Sequence, residues 1–381
     1  MAINATEYRT PGQLIKALLK DRGWTQRVLA LVLNLEQSAV ARIVQDKRAV
    51  DAERALSLSE VFDVPAETFL ELQKTYDLAK ARITARPDPE RAMRARLFAD
   101  LPVAEMITRG WLDADDIRDV SKVEGALAKF FGVKTPGEIE IMPHAAKRTN
   151  VAAEVTPVQV AWLRRVRQIA SEMIVPSYST DALQRAVVQL KTLLSAPEEA
   201  RKVPRILAEC GVRFVLVESL TSAKIDGACL WLNDVSPVIG MSVRYDRIDN
   251  FWFVLRHEIE HVLRGHGRGA IALDAELERE KAGTGPEVSE EERVANQAAS
   301  DFCVPAEQLE RFVARKAPVF FERDILGFAN TLNIHPGLVA GQLQHQIGRY
   351  DRFRSHLVKI RSAVAPSAVV DGWGDIAPVE T

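Results

Sequence analysis

One pentapeptide, His257-Glu-Ile-Glu-His261, constrains this chain more than any other part of the sequence. Residues four apart lie on one face of a helix, so the two histidines could both bind one metal ion. Glu258 would then lean toward a metal-bound water, whose pKa zinc lowers to about 7, and could accept its proton. The preceding residues are mostly apolar, which predicts a buried helix over 250–264. An amphipathic helix with surface His and Glu would show the same spacing.

A third metal ligand is needed, because a catalytic zinc ion normally has three protein ligands and one open position. The candidate is Glu292, on a helix predicted over 290–303. Asn296 follows one turn later and could bond a zinc-binding histidine. Glu290 and Glu291 compete with Glu292 by proximity. His266 is the rival third ligand, but it follows the second histidine by only five residues, so we interpret it as a loop residue or as one behind the ligands.

His335 is a further candidate catalytic residue, at the start of a predicted helix. It could stabilise the negative charge that develops on a peptide carbonyl oxygen under attack. The competing interpretation is a residue at a helix N-terminus, before a proline, with no part in catalysis.

Residues 25–48 have the layout of two short helices that meet at a turn, the helix-turn-helix arrangement. Polar side chains open the second helix, predicted over about 37–44, while Val40 and Ile43 face inward. Basic residues follow it, where they could contact phosphates. The candidate DNA-contacting residues are Gln26, Glu36, Gln37, Ser38, Arg42, Lys47 and Arg48. A helical docking domain with a solvated polar face is the alternative.

Linker signals and changes of hydrophobic period divide the chain. Proline and polar residues mark boundaries near 86–89 and 134–156. Strands are predicted at about 213–218, 228–232 and 237–243, before and after stretches of helical period. The sequence therefore predicts an α+β chain with an all-α domain at 1–86, a helical connector at 87–156, a mixed domain at 157–362 and a disordered tail at 363–381.

Composition excludes some classes of protein. The 50 Lys and Arg against 52 Asp and Glu give a net charge of -2, which excludes a uniformly basic nucleic-acid coat and a strongly acidic disordered chain. Three cysteines without metal-ligand spacing fit a reducing cytosol. Neither a signal peptide nor a membrane-spanning run is evident. We expect a cytoplasmic protein with no membrane partner.

Residues 11–82 resemble the XRE/Cro type of helix-turn-helix, and most closely the HigA antitoxins. The motifs that carry the resemblance include Arg22-Gly-Trp-Thr-Gln, Leu29-Ala, the Val40 and Ile43 pair and Lys47-Arg48-Ala. The family usually has Asn-Gly where this chain has Gln45-Asp46, which makes the turn less ideal. The resemblance implies binding to an operator in double-stranded DNA. Such domains commonly bind as dimers, so a homodimer is a candidate, although no dimer interface is legible in the sequence.

Residues 157–350 resemble the ImmA/IrrE family of bacterial metallopeptidases. The motifs include Leu230-Trp-Leu, Asn250-Phe-Trp-Phe, the HEIEH helix, Glu292-x-x-Ala-Asn and His335-Pro-Gly. Glu260 departs from the pattern, since glycine is usual there. The resemblance implies a zincin-like domain with a small β-sheet packed on the HExxH helix. It also implies His257, His261 and Glu292 as Zn2+ ligands and Glu258 as the base.

The two resemblances imply a DNA-binding transcriptional regulator with a zinc-dependent endopeptidase domain, active or latent. Its protein partner would be a substrate, such as a repressor or antitoxin in stress response or toxin-antitoxin control, or a cognate toxin. The alternative is a non-proteolytic HigA-like antitoxin or autorepressor whose metal site is structural or sensory.

Overall fold

The chain divides into two units, Met1–Glu90 and Arg91–Thr381. The fold is that of a computed structural model, and the structure describes residues 8–86, 91–134, 138, 155–268, 272–275, 289–366 and 371–372. Most of the polar segment at 134–156 lies outside the described residues. Each unit has its own hydrophobic core.

The first unit is helical, as the sequence predicts. Its described helices are α1 (Pro11–Asp21), α2 (Gln26–Val32), α3 (Gln37–Val44), α4 (Ala52–Phe62) and α5 (Ala66–Thr84). Apolar residues at helical spacing, such as Leu14, Ile15 and Leu18 of α1, fill the core between them. The turn after α2 passes through Asn34 in the left-handed conformation, with a φ of 51°.

The turn after α3 is held by an aspartate rather than by a glycine. Asp46 has a φ of 57°, a conformation that costs little only for glycine and, to a lesser degree, Asn and Asp. Its carboxylate accepts hydrogen bonds from the Gly12 amide at 2.8 Å and the Thr10 hydroxyl at 2.7 Å. A Cβ at position 12 would lie 2.7 Å from Asp46 Oδ1, so this contact requires glycine there. The two hydrogen bonds fix the turn to the start of α1.

The second unit combines many helices with one sheet. Its described helices are α6 (Arg91–Asp100), α7 (Val103–Thr108), α8 (Val120–Phe131), α9 (Pro157–Glu172), α10 (Thr180–Lys191), α11 (Val203–Glu209), α12 (Ile248–Leu263), α13 (Glu290–Cys303), α14 (Ala306–Lys316), α15 (Glu322–Leu332), α16 (Pro336–Ile347) and α17 (Arg361–Val364). Within the part of the chain that the structure describes, no helix has the length and apolar character needed to cross a membrane.

The sheet has five strands in the order β4-β2-β3-β1-β5. The strands are β1 (Arg213–Val217), β2 (Ile225–Trp231), β3 (Pro237–Met241), β4 (Ala272–Ala275) and the two-residue β5 (Asp371–Gly372). β1 and β3 are parallel, with Phe214 opposite Ile239, and the other pairs are antiparallel. β2 begins three residues before the predicted start at 228, because the strand continues through Gly227.

The sheet is covered on both faces, which makes its central strands almost wholly buried. Along β1, Phe214 and Leu216 belong to one core, whereas Val215 and Val217 belong to the other. The first core contains the apolar face of α12, and the second contains that of α9. This alternation places the HEIEH helix directly on one face of the sheet.

The expected connector at 87–156 does not form a separate layer where it is described. Met106 of α7 and Leu127 and Phe130 of α8 share the second core with Trp162 of α9. The indole nitrogen of Trp162 donates to the Val217 carbonyl at 2.8 Å, which ties this layer to β1. These helices are therefore part of the second unit.

The C-terminal region differs from the predicted disordered tail at 363–381 where it is described. Val364 and Ala365 are buried in the first of the two cores. Asp371 pairs with Val217 at the sheet edge. Its carboxylate accepts hydrogen bonds from the Trp111 indole at 2.6 Å and from Arg165 Nε at 2.9 Å. These contacts join residues far apart in the chain, so local composition does not reveal them.

Asp46→Ala should lower the free energy of unfolding of the first unit by about 1–3 kcal/mol, because the Thr10 and Gly12 donors lose their acceptor. Asp63→Ala is a matched control: Asp63 is also left-handed, with a φ of 59°, and no side-chain hydrogen bond to it is found among the described residues. Native-state hydrogen exchange of α1 and α3 amides in the full chain would measure both losses. Equal losses would show that the side-chain hydrogen bonds of Asp46 contribute nothing.

Candidate metal centre and helix-turn-helix surface

The HEIEH helix buries ionisable side chains inside the second unit. α12 packs on β2 and β3 and against α13. In its first half the aromatic side chains of Phe251 and Trp252 are completely buried. In the second half of the helix, ionisable side chains are buried to the same extent, since His257, Glu258 and His261 are all 0% exposed. Such groups are retained in a core only if they have partners.

Two of these side chains, His257 and His261, lie close to the buried Glu292 of α13, in the combination that the sequence predicts for a metal site. The Nε2 atoms of His257 and His261 lie 3.0 Å apart. Glu292 places Oε2 3.4 Å from His257 Nε2 and Oε1 3.2 Å from His261 Nε2. In a tetrahedral zinc site with bonds of about 2.0–2.2 Å, neighbouring ligand atoms are about 3.3 Å apart. The donor set and its spacing therefore fit zinc, and this group is the one that could hold a metal ion among the residues described.

The phase of α13 selects one of its three consecutive glutamates. The helix starts after Ser289, whose hydroxyl accepts from the Glu292 amide at 3.2 Å. Each residue turns an α-helix by about 100°, so adjacent side chains face different directions. Glu290 pairs with Arg293 at the surface, and Glu291 is exposed, whereas Glu292 is buried beside the histidines. The structure thus brings Glu292, of the three, to the candidate metal centre.

Glu292 is held in its ionised form. Burial alone would raise its pKa, but hydrogen bonding and charge interaction with His257 and His261 outweigh burial and lower the pKa below its ordinary value. A carboxylate that is already deprotonated is the form that binds a metal ion.

Glu258 lies against the sheet at a point where the sheet has no side chain. A Cβ added to Gly227 of β2 would overlap the Glu258 carboxylate. The pairing of β2 with β4 is irregular between Ile225 and Gly227, as in a β-bulge. Gly227 therefore makes the space that this carboxylate occupies. Sequence reasoning missed it, although a glycine inside a strand pattern is itself a signal of a bulge or a close approach.

The ring of His261 has His266 beside it rather than the predicted partner Asn296. Asn296 is half-buried, and the described residues give it no hydrogen bond to a histidine. The second ring nitrogen of His261, Nδ1, lies instead 2.8 Å from Nδ1 of His266. Burial, together with the nearby His261, lowers the pKa of His266. His266 thus lies behind the three candidate ligands, on the far side of the His261 ring.

Glu260 occupies a position where the resembled family has glycine, and the structure shows how the carboxylate is accommodated. It points to two arginines of the same helix, accepting from Arg256 at 2.8 Å and from Arg264 at 2.7 Å. These i−4 and i+4 partners offset the cost of burial, and their hydrogen bonds and charges lower its pKa against the opposing effect of desolvation.

His335 is not brought to the histidine pair. It caps α16, where its Nδ1 accepts from the Gly337 amide at 3.0 Å. A Cβ at Gly337 would lie 2.7 Å from Ile248, the first residue of α12. His257 lies nine residues further along that helix, about 13 Å at 1.5 Å per residue. Burial and the neighbouring His356 lower the pKa of His335. Its described role is that of a helix cap.

The first unit presents the surface that the sequence predicts for DNA reading. α3 buries Val40 and Ile43, at 1% and 4% exposure, and turns its polar side chains outward. Exposed residues of the predicted set are Glu36, Gln37, Ser38, Arg42, Lys47 and Arg48, while Gln26 at the start of α2 is half-buried. The backbone amides of Lys47 and Arg48 both donate to the Arg42 carbonyl, which holds the two cations next to the end of α3.

Two comparisons with known proteins bear on this surface. Residues 15–69 match a protein family described as Helix-turn-helix. Virulence-associated protein I of Dichelobacter nodosus is 33% identical to this chain over 72 residues, which is 19% of this chain and 67% of that protein. Both findings agree with the exposed polar face of α3 and the two cations that follow it. Through this N-terminal domain the chain belongs to the XRE-type helix-turn-helix family of DNA-binding transcription regulators.

Proposed function

We propose that the second unit is a zinc-dependent endopeptidase of the ImmA/IrrE type, joined to the DNA-binding unit. The observation that carries the proposal is the buried group of His257, His261 and Glu292, with ligand atoms 3.0–3.4 Å apart. Zinc, when bound, supplies Lewis acidity and a readily ionised water. Oxygen and nitrogen donors in this number and geometry suit zinc and leave one coordination position open.

Glu258 is the residue to which we assign proton transfer. It follows the first histidine on α12 and has no solvent-exposed surface. A buried carboxylate beside the metal ligands accepts a proton from the attacking water and delivers it to the departing amine. Gly227 leaves the space that the carboxylate occupies, and any side chain at position 227 would overlap it.

The substrate class follows from the joined domains and from the resemblance. A peptidase attached to a DNA reader acts near an operator, so a DNA-bound repressor or an antitoxin is the protein we propose it cleaves. Cleavage of such a partner would change transcription in response to stress or to a toxin.

A second candidate function is a non-proteolytic antitoxin or autorepressor whose metal ion is structural or sensory. The observation that favours it is burial, since His257, Glu258 and His261 have 0% exposure and structural metal sites are closed to solvent. The two functions differ in whether a partner protein is cut when the metal is bound.

The metal proposal predicts that the wild-type chain binds one equivalent of zinc. Glu292→Gln should weaken binding by more than about 100-fold, because even residues behind the ligands contribute up to that amount. Glu290→Gln changes the same residue type in the same helix turn but at the surface, and should bind zinc as wild type does. Competition with a chromophoric chelator measures all three affinities. Equal affinities for the two variants would refute the proposed ligand set.

The peptidase proposal predicts that Glu258→Gln keeps its zinc and cleaves about 10²–10⁴-fold more slowly, the usual contribution of a general base. Single-turnover cleavage of a repressor or antitoxin encoded beside this chain, followed by mass spectrometry, measures the rate. Glu291→Gln is the control and should cleave at the wild-type rate. Zinc-loaded wild-type protein that cuts none of these partners while it binds its operator would support the non-proteolytic function.

For the DNA-binding unit we expect two substitutions to have different effects, one on sequence discrimination and one on overall DNA affinity. Gln37→Ala, at the start of α3, should reduce discrimination between a selected operator and a scrambled duplex by about 1–3 kcal/mol. Lys47→Ala should weaken binding to both duplexes equally and lower the salt slope by about 1. Lys74, which pairs with Glu71 on α5, offers the control Lys74→Ala. Fluorescence anisotropy over a salt series measures these effects, and a Lys47→Ala variant with changed sequence preference would contradict the assignment.

A further inference from the structure

The turn that follows α12 brings a third histidine ring to the candidate metal centre. Gly265 has a φ of 71° and ends the helix, so the chain folds back at once. The His266 amide donates to the His261 carbonyl at 2.9 Å. The two rings meet through their Nδ1 atoms at 2.8 Å, with centroids 5.1 Å apart. His266 therefore contacts a proposed ligand on the side away from the other two.

The backbone of His266 is fixed from the sheet. The indole of Trp231, on β2, donates to the His266 carbonyl at 2.7 Å. A Cβ at Gly267 would lie 2.6 Å from the Cys229 carbonyl, so the turn rests directly on the strand. Gly267 has a φ of 82°, which glycine adopts without cost. The backbone that carries the His266 ring is thus held against β2.

One arrangement of protons lets His261 bind a metal ion while the two rings keep their hydrogen bond. A hydrogen bond between two Nδ1 atoms needs the proton on one of them and a lone pair on the other. His261 Nε2 lies beside His257 and Glu292, and it can bind a metal ion only through its lone pair. The His261 proton must then be on Nδ1, and His266 Nδ1 accepts it. The remaining His266 proton is on Nε2, which faces Glu291 Oε1 at 3.8 Å.

We propose that His266 is a positioning residue that holds His261 in the Nδ1–H tautomer and so presents Nε2 as a metal donor. This inference rests on the proposed metal centre and assigns to His266 a role that the sequence alone left between ligand and loop. The Trp231 contact fixes His266, and His266 in turn orients the His261 ring. The sheet is thus connected to His261 by two contacts: Trp231 with the His266 backbone, and the His266 ring with the His261 ring.

The test compares two substitutions at His266 in the full chain. His266→Phe keeps a ring but removes the acceptor, and should weaken zinc binding about 10–100-fold. His266→Asn places an amide oxygen near the position of Nδ1 and should restore affinity to within a few-fold of wild type. His345→Phe, on α16 next to Tyr350, is the control for loss of a histidine elsewhere. A His266→Phe variant that binds zinc as wild type does, or an Asn variant as weak as the Phe variant, would overturn the proposal.

A second measurement separates this inference from the metal proposal. Proton NMR of the zinc-loaded chain reports how fast the Nδ1–H proton of His261 exchanges with water. We expect slow exchange in wild type and in His266→Asn, where the proton has an acceptor, and faster exchange in His266→Phe. Wild type that binds no zinc would refute the metal proposal, and this inference with it. Zinc-loaded wild type whose Nδ1–H proton exchanges as fast as that of His266→Phe would rule out the role of His266 alone. Thermal unfolding of each variant checks that it is folded.

Discussion

Burial of ionisable side chains on one helix is the constraint on which the second unit depends. α12 must lie on the sheet to bury Phe251 and Trp252, and this position also takes His257, Glu258 and His261 out of water. An isolated buried charge or unpaired polar group costs several kcal/mol. Neighbouring elements offset that cost for the two histidines: α13 supplies Glu292, and the turn after α12 supplies His266. The elements around α12 are thus placed where they supply partners to the buried polar side chains of one turn of that helix.

Two departures from family patterns are accommodated in the same physical way. Asp46 occupies a left-handed turn where the helix-turn-helix family usually has glycine, and Glu260 occupies a buried helix position where the resembled peptidase family usually has it. Each carboxylate acquires two specific donors, from Thr10 and Gly12 in the first case and from two arginines one turn away in the second. A charged residue in place of glycine is therefore no sign of a defective element when the surrounding chain provides paired donors.

The parts of the fold that could be predicted are those with local signals. α3 and α13 have the predicted bounds, because a turn or a cap residue precedes a clear helical period in each. The spacing of HEIEH places two candidate ligands on one helix face without further information. The sequence favours Glu292 as the third candidate but leaves Glu290 and Glu291 as competitors, since sequence alone does not give the phase of one helix relative to another. The packed position of α13 brings Glu292, of the three, to the two histidines.

What could not be predicted depends on contacts between distant residues. Composition made the tail read as disordered, yet Asp371 bonds Trp111 and Arg165. Helical periodicity offered Asn296 as the partner of a histidine, but a left-handed turn at Gly265 places His266 there first. The helices expected to form a connector pack instead in the core on the second face of the sheet. Their own sequence contains no signal of that contact.

The overlap between Gly227 and Glu258 links two positions that are distant in sequence. As long as a carboxylate follows the first histidine, position 227 can hold only the smallest residue. If a related chain lost that carboxylate to alanine, the restriction on the strand would disappear and larger residues could accumulate there. The size of the residue at position 227 would then show whether a lineage has kept the carboxylate that follows the first histidine.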